Sequence, residues 1–445
     1  MSEFVLDQQL PVYSPSRSPP SYSPHLLDGE QTLAQTSRFH SSSHLTGTFT
    51  KHSGEITVVL TEQDEDADVP CYGRQGLVAG SIILDSSLKT EDIMAVCLKV
   101  EGRIKLTISG ANAASKTMKI VDEQYELWSS SQTSHSSSTS ATTSTCPRVI
   151  PFSTILPPTF KDGDREYPLP PSYEVNFTGI PGLYAKCTYA IRAIVKTHGP
   201  LWDHKQTVST PFIYRPRKRP PQAAVNAAFF SSIKISPEEW FQTTAVLQAR
   251  PGAGANVESI NASLFLPAVR SFGLRDPIPY HIQLTGPLSS LQKFYSLVQY
   301  ETDPCSPAYP RNRETLTMSV SLCRQVRVEV KGQTVWKSSI IGSGTVRPLP
   351  PSIELDELDD CDYRDLGVKK SEEGKEQGRE QEMALDWEGE VRCRDDVRVG
   401  HFDVGKMAAS DFFVFSVSAR NNCGAFNSLR MIVPISLVTD SWVEH

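Results

Sequence analysis

Long hydrophobic runs are missing from this 445-residue chain. No apolar stretch approaches the ~20 residues that span a bilayer. The opening MSEFVLDQQL has neither the basic start nor the apolar centre of a secretory signal. Paired cysteines are missing as well. The nine cysteines (Cys71, Cys97, Cys146, Cys187, Cys305, Cys323, Cys361, Cys393 and Cys423) include no CxxC and no CxxH, which argues against a disulfide framework and against a zinc site. There is no GxSxG, no HExxH, no glycine-rich phosphate loop and no Walker lysine. His40 and His44 are four apart, but in a serine-rich stretch without helical pattern, so no metal is expected there. A net charge of −7 at pH 7 and the lack of a recognisable module disfavour nucleic acid as a partner. The expectation from these absences is a cytoplasmic, non-enzymatic chain with no cofactor and no metal.

Short β-branched runs and proline are what the sequence does have. EITVVL (55–60) and LVAGSIIL (77–84) are followed by AVCLKVEGRIKLTI (95–108), in which Val96, Leu98, Val100, Ile104, Leu106 and Ile108 share one parity. Cys97, Lys99, Glu101, Arg103, Lys105 and Thr107 take the other. A period of two with one wet face predicts an antiparallel strand, or a pair of them, packed on one side. The pattern returns at Tyr189, Ile191, Ala193 and Val195, at Val326, Val328 and Val330, at Phe413, Phe415, Val417 and Ala419, and in MIVPISLV (431–438). Long amphipathic helices are lacking, and only SPEEWFQ (236–242), with Ser236 as N-cap and Pro237 in the first turn, predicts a helical turn. Many short strands with proline-marked turns predict an all-β chain of sandwiches or barrels.

Three segments break the pattern. Residues 129–145 hold 14 Ser or Thr in 17 positions and read as a solvated loop. FIYRPRKRPPQ (212–222) reads as a stiff basic connector. The densely charged stretch that opens with LDELDDCDYRD (355–386) reads as a disordered excursion between strands. Residues 1–50, rich in Ser, Pro, Thr, His and Gln, read as a disordered leader.

YGRQGLVAGSIIL, AVCLKVEGRIKLTI, IPFSTILPPTF, LPPSYEVNF and GLYAKCTYAIRAIV, in this order, resemble the N-terminal domain of arrestins. NASLFLPAVRSFGLRDPIPYHIQLTG and VRCRDDVRVGHFDV are similar to their C-terminal domain. The order of these motifs, over roughly residues 54–440, carries the resemblance to the alpha-arrestins of the fungal trafficking-adaptor kind. The resemblance implies two immunoglobulin-like (arrestin-type) β-sandwiches in tandem, at 54–214 and 223–440, joined by a hinge at 215–222. It also implies an adaptor that meets a membrane transporter or receptor on one side and the WW domains of a HECT-class ubiquitin ligase on the other, in the cytoplasm and transiently at the plasma membrane or endosomes. A retromer-like sorting scaffold without ligase recruitment is the alternative.

Pro-Pro-Ser-Tyr occurs twice. A WW groove takes an exposed polyproline II segment whose prolines are already extended, and Tyr fills a neighbouring pocket. Pro19, Pro20 and Tyr22 lie among Ser and Pro and meet these conditions. Pro170-Pro171-Ser172-Tyr173 runs into the strand-like EVNF, and its resemblance to the arrestin LPPSF segment, which enters the sandwich, implies that Tyr173 is a core or half-buried side chain. Ser14, Ser18 and Ser23 each precede proline and are candidate phosphosites beside Tyr22. Arg215, Arg217, Lys218 and Arg219 are a candidate contact for anionic lipid.

Overall fold

Alternating side chains build nearly all of this protein. The computed structural model describes residues 47–442, apart from 66, 131–144, 200–202, 224–232, 234, 255, 301–314, 350–381 and 420–423. All described residues belong to one unit, Thr46–His445. Its first strands are β1 (Gly47–Ser53), β2 (Ile56–Gln63), β3 (Cys71–Tyr72), β4 (Leu77–Leu84), β5 (Ile93–Ser109) and β6 (Ala114–Ser129). There follow β7 (Val149–Ile155), β8 (Thr159–Asp162), β9 (Arg165–Pro168), β10 (Tyr173–Phe177), β11 (Gly182–Thr197) and β12 (His204–Tyr214). A four-stranded antiparallel sheet has the order β1-β2-β4-β7, and a six-stranded sheet the order β3-β12-β11-β5-β6, with β10 also on β11. Ile56, Val58 and Leu60 of the small sheet share one core with Val96, Val100, Ile191 and Val195 of the large one.

The second half supplies β13 (Trp240–Leu247), β14 (Ile260–Pro267), β15 (Ser271–Gly273), β16 (Ile278–Pro287) and, after the helix α1 (Leu288–Leu297), β17 (Val298–Tyr300). The remaining strands are β18 (Leu316–Val330), β19 (Gln333–Pro348), β20 (Glu382–Val391), β21 (Phe402–Asp403), β22 (Met407–Ala419) and β23 (Leu429–Val438). They form one curled sheet, β13-β14-β16-β20-β19-β18-β22-β23-β15, with β17 on β18 and β21 on β22. β19 is the corner. It pairs with β18 up to Ser343 and with β20 from Gly344 onward. Gly342 at this corner packs so tightly that a Cβ would strike the carbonyl oxygen of Arg392. The limbs meet again where Ala249 bridges Phe426 and the Arg250 amide donates to the Ala425 carbonyl at 2.8 Å. The second core lies between these limbs, capped by α1, whose Phe294 ring stands 6.0 Å from both Trp387 and Phe426.

Two strands serve both cores. On β18, Leu316, Met318, Val320 and Leu322 enter the second core and Val326, Val328 and Val330 the first. On β22, Phe413, Phe415 and Val417 enter the second and Met407 and Ala409 the first. At the changeover Arg324 and Asp411 stand opposite each other across the ladder. They are only 5% and 2% exposed and are joined by two hydrogen bonds, Nε to Oδ1 at 2.7 Å and Nη2 to Oδ2 at 3.0 Å.

The predicted alternation holds for β5, β11, β18 and β22, whose named apolar residues are buried except Ala419 at the end of β22, which is half-buried. β5 is a single 17-residue strand, not a pair. Its other face is not uniformly wet: Cys97 packs with Ala95 and Ile194, and Glu101 is enclosed by cations. Two boundaries move, and one element is new. β1 begins at Gly47, inside the leader expected to reach residue 50, because its backbone pairs with β2. β20 begins at Glu382, inside the charged excursion expected to reach residue 386, where Leu385 and Trp387 turn into the second core. α1 was not anticipated, since its PLSSLQKFYSL sequence carries only a short apolar face, of which Leu291 and Phe294 are buried. Pro237–Glu239 is the expected single turn, but the Ser236 side chain does not cap it. The loop expected at 129–145 falls mostly outside the described residues.

Candidate functional site

Where β12 leaves the first core, the polypeptide runs Tyr214-Arg215-Pro216-Arg217-Lys218 beside the end of the last strand. Backbone bonds fix it there: the Lys218 amide donates to Thr439 Oγ1 at 2.7 Å, and the Asp440 amide to the Lys218 carbonyl at 3.0 Å. Proline contributes no amide of its own, so these side-chain and backbone bonds carry the connector. The second Pro-Pro-Ser-Tyr lies against the same place. The Ser172 amide donates to the Tyr214 carbonyl at 2.8 Å, and the Tyr214 amide donates back to Ser172 Oγ at 2.9 Å. The Pro170 carbonyl accepts from the Tyr189 hydroxyl at 2.6 Å. The Tyr173 ring sits edge-on to Phe402, 5.3 Å between centroids, which ties β10 to β21 of the second half. Burial pushes the Tyr173 hydroxyl above its ordinary value; Arg324 pulls the other way.

A cavity of about 430 Å³ opens at this junction. Its lining includes the apolar Pro168, Leu169, Pro171, Phe402, Val404 and Leu437. Arg74, from the turn between β3 and β4, lines it together with Arg215, Lys218 and Arg398. None of these four cations has an ion-pair partner among the described residues. Asp403, the one carboxylate in the wall, is already held by Arg327 Nη2 at 3.1 Å and by the Gly405 amide at 2.9 Å. Gly405 needs its left-handed φ of 75°, and a Cβ there would lie 2.7 Å from the Tyr167 ring. His401 turns Nδ1 toward Ser436 Oγ and the Leu437 carbonyl, at 2.8 and 3.2 Å. Tyr214 is 2% exposed and lines the cavity. Burial raises the Tyr214 hydroxyl, against the pull of the nearby Arg74 charge. Burial likewise raises the Cys71 thiol, which Arg215 pulls down and Asp64 pushes up.

The residues named from sequence are distributed as follows. Pro19, Pro20, Tyr22, Ser14, Ser18 and Ser23 lie outside the described residues. Arg215 and Lys218 line the cavity, whereas Arg217 reaches across to Asp440 at 3.0 Å and the half-buried Arg219 is already engaged. Arg74 and Arg398, which complete the cationic wall, were not singled out from sequence. They lie in unremarkable turns far apart in the chain, and no spacing rule joins them. The cysteines Cys71, Cys97, Cys146, Cys187, Cys323 and Cys393 are free thiols, and burial pushes that of Cys187 up to about 12. Among the described residues no group of three or more His, Cys, Asp and Glu is placed to hold a metal, and no helix is long and apolar enough to cross a membrane. No family model matches the chain, and no curated protein matches it.

Proposed function

We propose that this chain is an arrestin-like adaptor, built of two sandwiches of arrestin type, that links a membrane transporter or receptor to a WW-domain HECT-class ubiquitin ligase at the plasma membrane or endosomes. The order of motifs along the sequence supports this reading, as do the all-β architecture and the two cores. The observation that carries the ligase assignment is the fate of the second Pro-Pro-Ser-Tyr. Its backbone is committed to Tyr189 and Tyr214 and its Tyr173 ring to Phe402, so it has no free polyproline strand to offer a WW groove. Docking therefore falls to Pro19, Pro20 and Tyr22.

A single WW contact is weak, since a ~10 μM complex corresponds to about −7 kcal/mol. Useful residence comes from a second attachment, cargo or membrane, that raises the effective concentration. The test is a pulldown on an array of WW domains. Tyr22→Ala should abolish capture, and Tyr173→Phe, which keeps the buried ring, should leave it unchanged. Capture of Tyr22→Ala at the parent level removes the assignment of docking to Pro19, Pro20 and Tyr22, and no capture of the parent removes the ligase role and leaves the sorting-scaffold reading.

A further inference from the structure

We propose that the cavity at the junction of the two cores binds a phosphorylated amphiphile, its phosphoryl group held by Arg74, Arg215, Arg398 and Lys218 and its apolar body on the apolar lining of Leu169, Pro171, Phe402 and Leu437. The lipid contact expected for the connector becomes here a bounded site with different members. It needs neither ligase nor cargo, so it stands or falls apart from the adaptor role.

The charge balance carries the first part. Four cations from three separate segments, the exposed Arg74, Lys218 and Arg398 and the half-buried Arg215, line the cavity, and none has an ion-pair partner among the described residues. The only acid in that lining is spent on Arg327 and Gly405. Like charges gathered without a counter-ion repel, and a mobile anion removes the cost. A phosphomonoester brings a charge of about −1.5 to −2 at neutral pH, against −1 for a carboxylate. Guanidinium forks match its oxygens two at a time.

The apolar lining carries the second part. Bare phosphate would leave an apolar surface wet, whereas an acyl or alkyl body would cover it. A volume of about 430 Å³ exceeds what one phosphoryl group fills and lies within the range of small-molecule sites. The walls come from both halves of the chain, so an occupant also bridges Arg215 to Arg398 and stabilises their junction.

The experiment uses the full chain, with binding read by calorimetry and by thermal shift. The probes are dihexanoyl phosphatidic acid below its micelle threshold, dihexanoyl phosphatidylcholine, inorganic phosphate and O-phosphoserine. Phosphatidic acid should bind and raise the melting temperature, with an affinity that falls as salt is added. Arg74→Ser/Arg398→Ser should weaken it at least about tenfold, the loss of charge-assisted bonds. Without ligand that variant should melt no lower than the parent, since it relieves repulsion; a purely structural role would lower it. Failure of phosphatidic acid to bind, equal binding by the double variant, or equal binding of phosphatidylcholine overturns the assignment. Inorganic phosphate or O-phosphoserine binding as tightly as the lipid also overturns it, because the apolar lining would then contribute nothing. Flotation with phosphatidic acid vesicles separates the sources: recruitment lost in the double variant assigns a membrane headgroup, and binding of the short-chain lipid without recruitment assigns a free phosphate ester.

Discussion

Glu101 shows what one residue does on a face that alternation marks as wet. Its side chain is 7% exposed and receives Lys99 at 3.0 Å and Arg103 and Arg192 at 3.1 Å each. Burial by itself would raise the carboxyl; the Lys99 hydrogen bond and the Arg192 and Arg103 charges together outweigh it, so it titrates below the ordinary glutamate value. A carboxyl whose folded value is depressed stabilises the fold above its unfolded value, and that stability is lost as pH falls through the folded one. Glu101→Gln should therefore cost about 2 kcal/mol at neutral pH. The cost should shrink as pH falls below the unfolded glutamate value of about 4.3 and vanish through the lower folded one, where the parent carboxyl also becomes neutral. Urea denaturation of both forms across this range measures it; a pH-independent difference would show that the carboxylate charge is not what the three cations use.

At the scale of elements, β10 decides how Pro-Pro-Ser-Tyr is read. The strand pairs with β11 from Tyr173↔Cys187 to Phe177↔Leu183, and its first ring closes on Phe402. Tyr173→Ala leaves a hole beside that ring and should destabilise by about 2–4 kcal/mol in urea. Tyr173→Phe should be near neutral, because the hydroxyl has no hydrogen-bond partner among the described residues. Equal stability of Tyr173→Ala and parent would mean that β10 does not depend on the ring. The same tetrapeptide at residues 19–22 has no strand-like sequence after it, and this contrast of context was legible in the sequence. The partner ring was not, because Phe402 reaches Tyr173 only through the folding of the second half onto the first.

At the scale of the molecule, β18 and β22 run through both cores and should make them one unfolding unit. Val326, Val328, Val330 and Met407 complete the first core from the second half of the chain. Asp162 adds a surface link, accepting Lys406 at 2.8 Å. Asp411→Ala removes one partner of a buried ion pair at the changeover, which strands the Arg324 guanidinium and should cost about 3–5 kcal/mol. Amide exchange in urea should show β5 and β16 losing protection together, at a lower midpoint than in the parent. Retention of full protection in β5 while β16 opens would mean that the halves unfold separately. Arg324→Met/Asp411→Leu should recover much of the loss, since a paired apolar replacement leaves no orphaned charge.

The sequence by itself determined the all-β class and the buried parity of β5, β11, β18 and β22, because alternation is a local property: successive side chains of an extended strand point to opposite faces. Only the tertiary structure decided which core each half of β18 faces, that Glu101 is enclosed, and that Arg74 and Arg398 meet Arg215 at one cavity. Those outcomes depend on strand order and sheet curl, which bring together residues far apart in the chain, and no local periodicity records that pairing.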